Sequence, residues 1–259
     1  PANAAIFELP DGDVHILSAP PAKREYVLAD TVTAGTLNVL AGAGGVSKTM
    51  LVMMVSAAMA AGCSIGDLQI AHGASMLFLG EEDQAEVSRR MSAICVSGGY
   101  DPSAVANLVK AFPAAGVDLR LTRNSNGTLN ASNLVQNVIQ LAQELWQASG
   151  EPVRMIVFDH ARLVMDGDPN DAAHVTQLTR VLTQIAQATG AAVLLLAHSP
   201  KSVHGKDASE MSVADVAGSS AFADNARSGF IMYGMRVDDA KALQISEANR
   251  KKYVKLECA

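Results

Sequence analysis

One run, Gly42-Ala43-Gly44-Gly45-Val46-Ser47-Lys48-Thr49, most constrains what this chain can fold into. It joins a short apolar segment, Thr36–Leu40, to a long one, Lys48–Ala61, which stops at Gly62. A glycine-rich turn from a strand into a helix aims successive backbone N–H groups inward, and the helix N-terminus adds partial positive charge. Together they make a cradle for phosphate. The run fits G-x-x-x-x-G-K-[ST] except that Ser47 replaces the second glycine. Gly42, Gly44, Gly45, Val46, Ser47, Lys48, Thr49 and Met50 are therefore candidates for binding ATP. Lys48 would reach the β- and γ-phosphates, and the Thr49 hydroxyl would hold Mg²⁺. If position 47 needs positive φ, a Cβ there costs roughly 1–2 kcal/mol. It would also crowd the β-phosphate, while Gly44 and Gly45 keep the loop open for binding.

Composition narrows the class. The chain has 259 residues, of which 49% are apolar and 18% charged, enough for a sizeable core. Twenty Lys and Arg against 26 Asp and Glu exclude a globally basic coat, so any nucleic-acid contact must be local. The longest apolar stretch, Met50 to Gly62, carries Ser56 and reads as a buried helix, so no membrane span is expected. Three scattered cysteines without CxxC spacing argue for a reducing, cytoplasmic compartment and against a disulfide scaffold or a structural zinc site. The sequence also lacks a basic-then-apolar signal segment at its start.

Residues 1–34 carry Pro1, Pro10, Pro20 and Pro21 and read as an extended arm, one that would pack on a neighbouring subunit. Residues 35–259 read as one domain. In it, apolar runs Ser75–Leu79, Met155–Phe158, Ala192–Ala197, Phe230–Tyr233 and Tyr253–Leu256 alternate with helical stretches. Those helices are Glu82–Val96, a stripe at Leu134, Val138, Leu141 and Leu145, and another at Val175, Leu178, Leu182 and Ile185. This alternation implies an α/β fold with a mostly parallel central sheet covered by helices.

Carboxylates at the C-terminal ends of parallel strands point into the ligand crevice of such a sheet. Glu82 is the candidate for polarising an attacking water, with Glu81 second; an acidic first helical turn is the plainer explanation. Met155-Ile156-Val157-Phe158-Asp159 is a Walker-B pattern, and Asp159 would order Mg²⁺ beside Thr49. His198 ends the next apolar strand and would sense the γ-phosphate.

These segments resemble the RecA-like P-loop ATPases, and among them the RepA-type hexameric replicative helicases of plasmids. The resemblance runs from about Tyr26 to Leu256. It includes Ala41–Thr49, Leu79–Asp83, Phe158-Asp159, Leu196-Ala197-His198 and Gly218-Ser219-Ser220 with Asp224-Asn225-Ala226-Arg227. It implies that Arg227 is an arginine finger serving a neighbouring subunit's site. A local Asp224–Arg227 pair on one helix would be the simpler role. The family often carries two histidines at the strand end, where this chain has Ala197-His198. The resemblance also implies a homo-oligomeric, six-membered ring around single-stranded DNA. Loops at Arg162–Ala172 and Ser199–Val216 would then face the channel, with Arg162, Lys201 and Lys206 on phosphate. An ordinary solvated loop accounts for the same lysines, as a surface strand edge does for Lys251, Lys252 and Lys255. Two function classes follow: a ring-forming ATP-driven motor on single-stranded DNA, or a nucleotide-gated DNA- or protein-binding module with little turnover.

Overall fold

A computed structural model describes residues 23–198 and 220–258. The centre is a sheet of seven strands. In chain order these are β3 (Leu37–Gly42), β4 (Ala74–Leu79), β5 (Val109–Pro113), β8 (Val153–Asp159), β9 (Ala192–His198), β10 (Ser228–Gly234) and β11 (Val254–Cys258). Their spatial order is β11-β10-β3-β9-β8-β4-β5. All pairings are parallel except β10 with β11. The expected α/β class, RecA-like with a mostly parallel sheet, is the one observed. β3 and β4 are buried along their whole length, as strands covered on both faces must be.

Two helix groups flank the sheet. One holds α1 (Lys48–Ala61), α2 (Gln84–Gly98) and α3 (Pro102–Leu108), and the other α4 (Leu134–Ser149), α6 (Ala172–Thr189) and α7 (Ser220–Asn225). The short α5 (Ala161–Val164) follows β8, while α8 (Val237–Ala242) and α9 (Glu247–Arg250) connect β10 to β11. α1 buries nearly every side: Val52, Met53, Val55, Ala57, Ala58, Met59 and even Ser56 are inside. It stops where Gly62 turns left-handed and its N–H closes on Ala58 and Met59 carbonyls. α4 and α6 also end at left-handed glycines, Gly150 and Gly190.

Three differences from the sequence reading stand out. First, residues 23–34 are not a free arm. β1 (Tyr26–Leu28) and β2 (Val32–Thr33) pair antiparallel, and Val27 and Val32 are buried in the core. The Ala71 N–H donates to the Val27 carbonyl, and Ala29 N–H to Gln69, which ties the hairpin down. Residues 1–22 lie outside the described residues. Second, β5, the hairpin of β6 (Thr122–Ser125) and β7 (Thr128–Ala131), and α3 have no clear periodicity in sequence. β5 forms because it finds an open edge beside β4. Third, α2 begins at Gln84 rather than Glu82, because the Asp83 carboxylate accepts the Glu86 N–H at 2.7 Å and caps it there.

Aromatic stacking marks the register of three strands. Phe78 on β4 lies opposite Phe112 on β5 and Phe158 on β8. Their ring centroids are 4.8 and 5.0 Å apart and the rings stack nearly parallel. Phe158 is fully buried. Phe158→Ala should lower the unfolding free energy by ~3–5 kcal/mol, read from urea denaturation at constant slope.

Candidate active site

Parallel register brings the carboxyl ends of four strands to one edge. Gly42 lies opposite His198, Leu79 opposite Asp159, and Asp159 opposite Leu196. The residues that follow converge on a cavity of about 350 Å³ lined by Gly45, Ser47, Lys48, Thr49, Met50, Glu81, Glu82, Arg90, Asp159 and His198. A larger hollow, about 510 Å³, sits near His72, Lys110 and Glu151 at the opposite end of the strands. It gathers no comparable chemistry.

The loop shows why its residue types matter. Gly45 has φ 79° and Ser47 φ 69°, both left-handed. Ser47 is thus the non-glycine residue in the position where a Cβ is strained. Gly44 and Gly45 border open space, whereas a Cβ on Gly42 would collide with the Met232 carbonyl oxygen. Gly42 is therefore demanded by the close approach of β10. Lys48 is buried, and its ammonium donates to the Gly42 and Ala43 carbonyls at 2.9 and 3.0 Å. It also lies 3.4 Å from His198 Nδ1. Burial lowers the Lys48 pKa, while Asp159 and Glu81 oppose the shift.

The Thr49 hydroxyl donates to Asp159 Oδ2 at 2.5 Å. Burial holds the Asp159 carboxyl above its ordinary pKa, opposed by Thr49 and His160. Hard oxygen donors from Thr49 and Asp159 side by side at the mouth of a phosphate loop suit Mg²⁺. Glu82 lines the same cavity, and its Oε2 is buried without a hydrogen-bond partner among the described residues. The site therefore fits a nucleotide with its metal. Glu82 precedes the helix, so the acidic-first-turn role belongs instead to Glu86. Burial raises the Glu82 pKa, the Asp159 charge adds to this, and Arg90 opposes it.

Arg90 on α2 reaches the site from the helix that follows Glu82. Its guanidinium binds Glu82 at 2.9 Å and Glu86 at 2.6 Å. The Glu86–Arg90 spacing is a visible i,i+4 signal. The reach to Glu82 is not, because it depends on how the turn before α2 folds back.

His160 was also missed. It follows Asp159, and its Nε2 lies 3.1 Å from Glu81 Oε1. Its ring meets the His198 ring edge-on at 4.3 Å. A second imidazole thus reaches the end of β9 from the neighbouring strand. Burial and then the Lys48 charge push the His198 pKa down to about 4, so it is neutral at physiological pH.

Arg227 stands apart. It is exposed, just before β10, and its N–H bonds the Leu37 carbonyl at 2.7 Å. Ser228 pairs with Asn38 and Met232 with Gly42, so Arg227 sits about five residues, or ~17 Å, down the strand from its own phosphate loop. It lies past the end of α7, and among the described residues no ion pair joins it to Asp224. Arg162 is exposed on α5, its N–H donating to His160 Nδ1. Lys201 and Lys206 lie outside the described residues, as do Gly218 and Ser219. Lys255 does not belong to a free basic cluster: it bridges Asp239 and Glu257 at 3.0 and 2.9 Å.

The sequence model of the AAA domain family matches residues 3–203. The chain belongs to this family. Among solved structures it is similar to one described as an ATPase domain, with a TM-score of 0.53 and 15% identity. That likeness covers 86% of this chain and 80% of the other, and it is a likeness of fold. No curated protein matches the sequence. Family and fold together make this a RecA-like P-loop protein of the ATPase class. No helix among the described residues is long and apolar enough to cross a membrane.

Two expectations follow. Ser47→Gly relieves the left-handed Cβ but loosens the unfolded chain, so a net gain of ~1 kcal/mol or less is expected in urea unfolding. Glu82 holds its proton more tightly folded than unfolded, so its ionisation costs stability. That cost is absent below the ordinary glutamate range and complete above the raised value. Glu82→Gln should therefore unfold at higher temperature than the parent at neutral pH, with the difference closing as pH falls through that range.

Proposed function

We propose that this chain is an Mg²⁺-dependent ATPase that works as a homo-oligomeric, six-membered ring on single-stranded DNA, as a RepA-type plasmid replicative helicase does. One observation carries the reading: Lys48, Thr49, Asp159, Glu82 and His198, scattered over 150 positions, converge on one cavity. That set is what phosphoryl transfer needs, and little else explains burying it together.

Roles follow from placement. The loop N–H groups hold the phosphates. Lys48 exchanges its two loop carbonyls for β- and γ-phosphate oxygens. Thr49 and Asp159 would hold Mg²⁺, which would supply positive charge to offset that on those oxygens. Glu82 orients the attacking water and takes up its proton, for which a raised pKa suits it. Neutral His198 donates a hydrogen bond toward the γ-phosphate once Lys48 has moved. Arg227 is too far down β10 to serve its own site, which supports a role in a neighbour's. Its guanidinium would offset the charge that develops on the transferred group. Arg162, Lys201 and Lys206 contact the DNA backbone.

A second reading, a nucleotide-gated binding module with little turnover, is favoured by the strained Ser47 and by the Arg90 clamp on Glu82. Steady-state ATP turnover with and without single-stranded DNA, across protein concentration and salt, separates the two. The motor predicts turnover that rises with concentration and with DNA and falls with salt. Slow, flat turnover with tight ATP binding would establish the module instead.

The ring predicts complementation. Arg227→Ala should lower turnover by ~10³-fold without losing assembly. Lys48→Ala should also be inactive. A random equal mixture of the two should regain activity at about one quarter of interfaces, since each intact site draws Lys48 and Arg227 from different subunits. A mixture as dead as its components would place the finger elsewhere.

A further inference from the structure

Among the described residues one group of side chains can hold a metal ion beyond the Thr49–Asp159 pair. Ligand atoms of Glu81, His160 and His198 all lie within 4.8 Å of one another. Two come from strand ends that parallel pairing sets side by side, His160 after β8 and His198 at the end of β9. Glu81 follows β4, and its Oε1 is 3.1 Å from His160 Nε2. We propose that these three residues form a binding site for a divalent transition ion of the zinc class, and that its occupancy competes with catalysis.

Donor chemistry selects the ion. Two imidazoles and one carboxylate suit Zn²⁺, Co²⁺ or Ni²⁺, whereas Mg²⁺ prefers the all-oxygen pair at Thr49 and Asp159. Zinc bonds of ~2.0–2.1 Å in a tetrahedron set donor atoms ~3.3 Å apart. The Glu81–His160 separation is already near this. The wider spacings, up to 4.8 Å, close by side-chain adjustment, and Glu81, 61% exposed, is the most exposed of the three ligands. Three protein ligands leave the fourth position to water or to a phosphate oxygen.

Proton accounting makes the site inhibitory. A neutral imidazole has one lone pair and one N–H. His198 lies with Nδ1 3.4 Å from the Lys48 ammonium, a contact that uses its lone pair. A metal at either nitrogen takes that lone pair, so metal binding breaks the Lys48–His198 contact. His160 likewise gives up the 3.3 Å contact from the Arg162 N–H to its Nδ1. The metal therefore captures His198 and adds positive charge beside Lys48. His198 then serves the metal or hydrogen-bonds toward the γ-phosphate, never both.

The test titrates the 259-residue chain with Co²⁺ under excess Mg²⁺, following the visible ligand-field bands. One saturable equivalent with nitrogen–oxygen ligand bands is expected. His160→Ala should abolish it, and Glu81→Ala should weaken it at least tenfold. Absence of saturable bands, or identical spectra in both variants, would overturn the proposal. So would thiolate-to-cobalt charge transfer, which would assign the ion to the exposed Cys63 or Cys258. If His160→Ala fails to fold, Glu81→Ala carries the test, since its carboxylate is at the surface. This arm needs no ATP turnover, so it stands or fails apart from the proposed activity. In the second arm Zn²⁺ should lower ATP turnover of the parent. The ratio of turnover with and without Zn²⁺ should return to one in His160→Ala; an unchanged ratio would refute the inhibitory role.

Discussion

Parallel pairing of β4 with β8 puts Leu79 opposite Asp159, and pairing of β3 with β9 puts Gly42 opposite His198. Everything at the nucleotide end hangs on these levels. Side chains alternate between faces along a strand, so a slip of one residue would exchange the side chains packed against the two helix layers and move the strand ends off these levels. The stacked Phe112, Phe78 and Phe158 rings lie across β5, β4 and β8. A hydrophobic ladder thus sets where a lysine, three carboxylates and two imidazoles meet.

The same burial sets the electrostatics. Desolvation is the largest influence on Lys48, Glu82, Asp159 and His198, and in each it disfavours the charged form. Unlike charges repair part of the loss: Arg90 holds Glu82, and Asp159 and Glu81 support Lys48. A polyphosphate entering this cavity meets groups already removed from water and aimed at it, so little reorganisation remains for the reaction. The left-handed Ser47 runs against that economy. It keeps the loop's shape while retaining a side chain where the geometry favours glycine.

Much of the fold was legible in the chain. Helix α1 has the limits its capping signals imply, because a glycine turn precedes it and Gly62 ends it. The apolar runs read as β3, β4, β8, β9, β10 and β11 are all strands of the one sheet. What was illegible has a common cause. β5 carries the polar Lys110 and no strict alternation, so only the vacant edge of β4 makes it a strand. Val27 and Val32 sit in a proline-rich stretch whose composition suggests a linker, and only their burial shows otherwise. Lys255 reads as one of three basic neighbours until Asp239 and Glu257 close around it.

By itself the sequence determined the local chemistry: a phosphate loop before a helix, carboxylates at strand ends, a mostly parallel α/β sheet. Each of these is written in contiguous residues, where spacing and backbone preference act directly. Only the tertiary structure decided which groups share a charge or a proton. Arg90 reaching Glu82, His160 meeting both Glu81 and His198, and Arg227 lying far from its own loop all follow from strand order and from the turn before α2. Those are set by the burial of the whole sheet, a property that no short stretch of sequence carries.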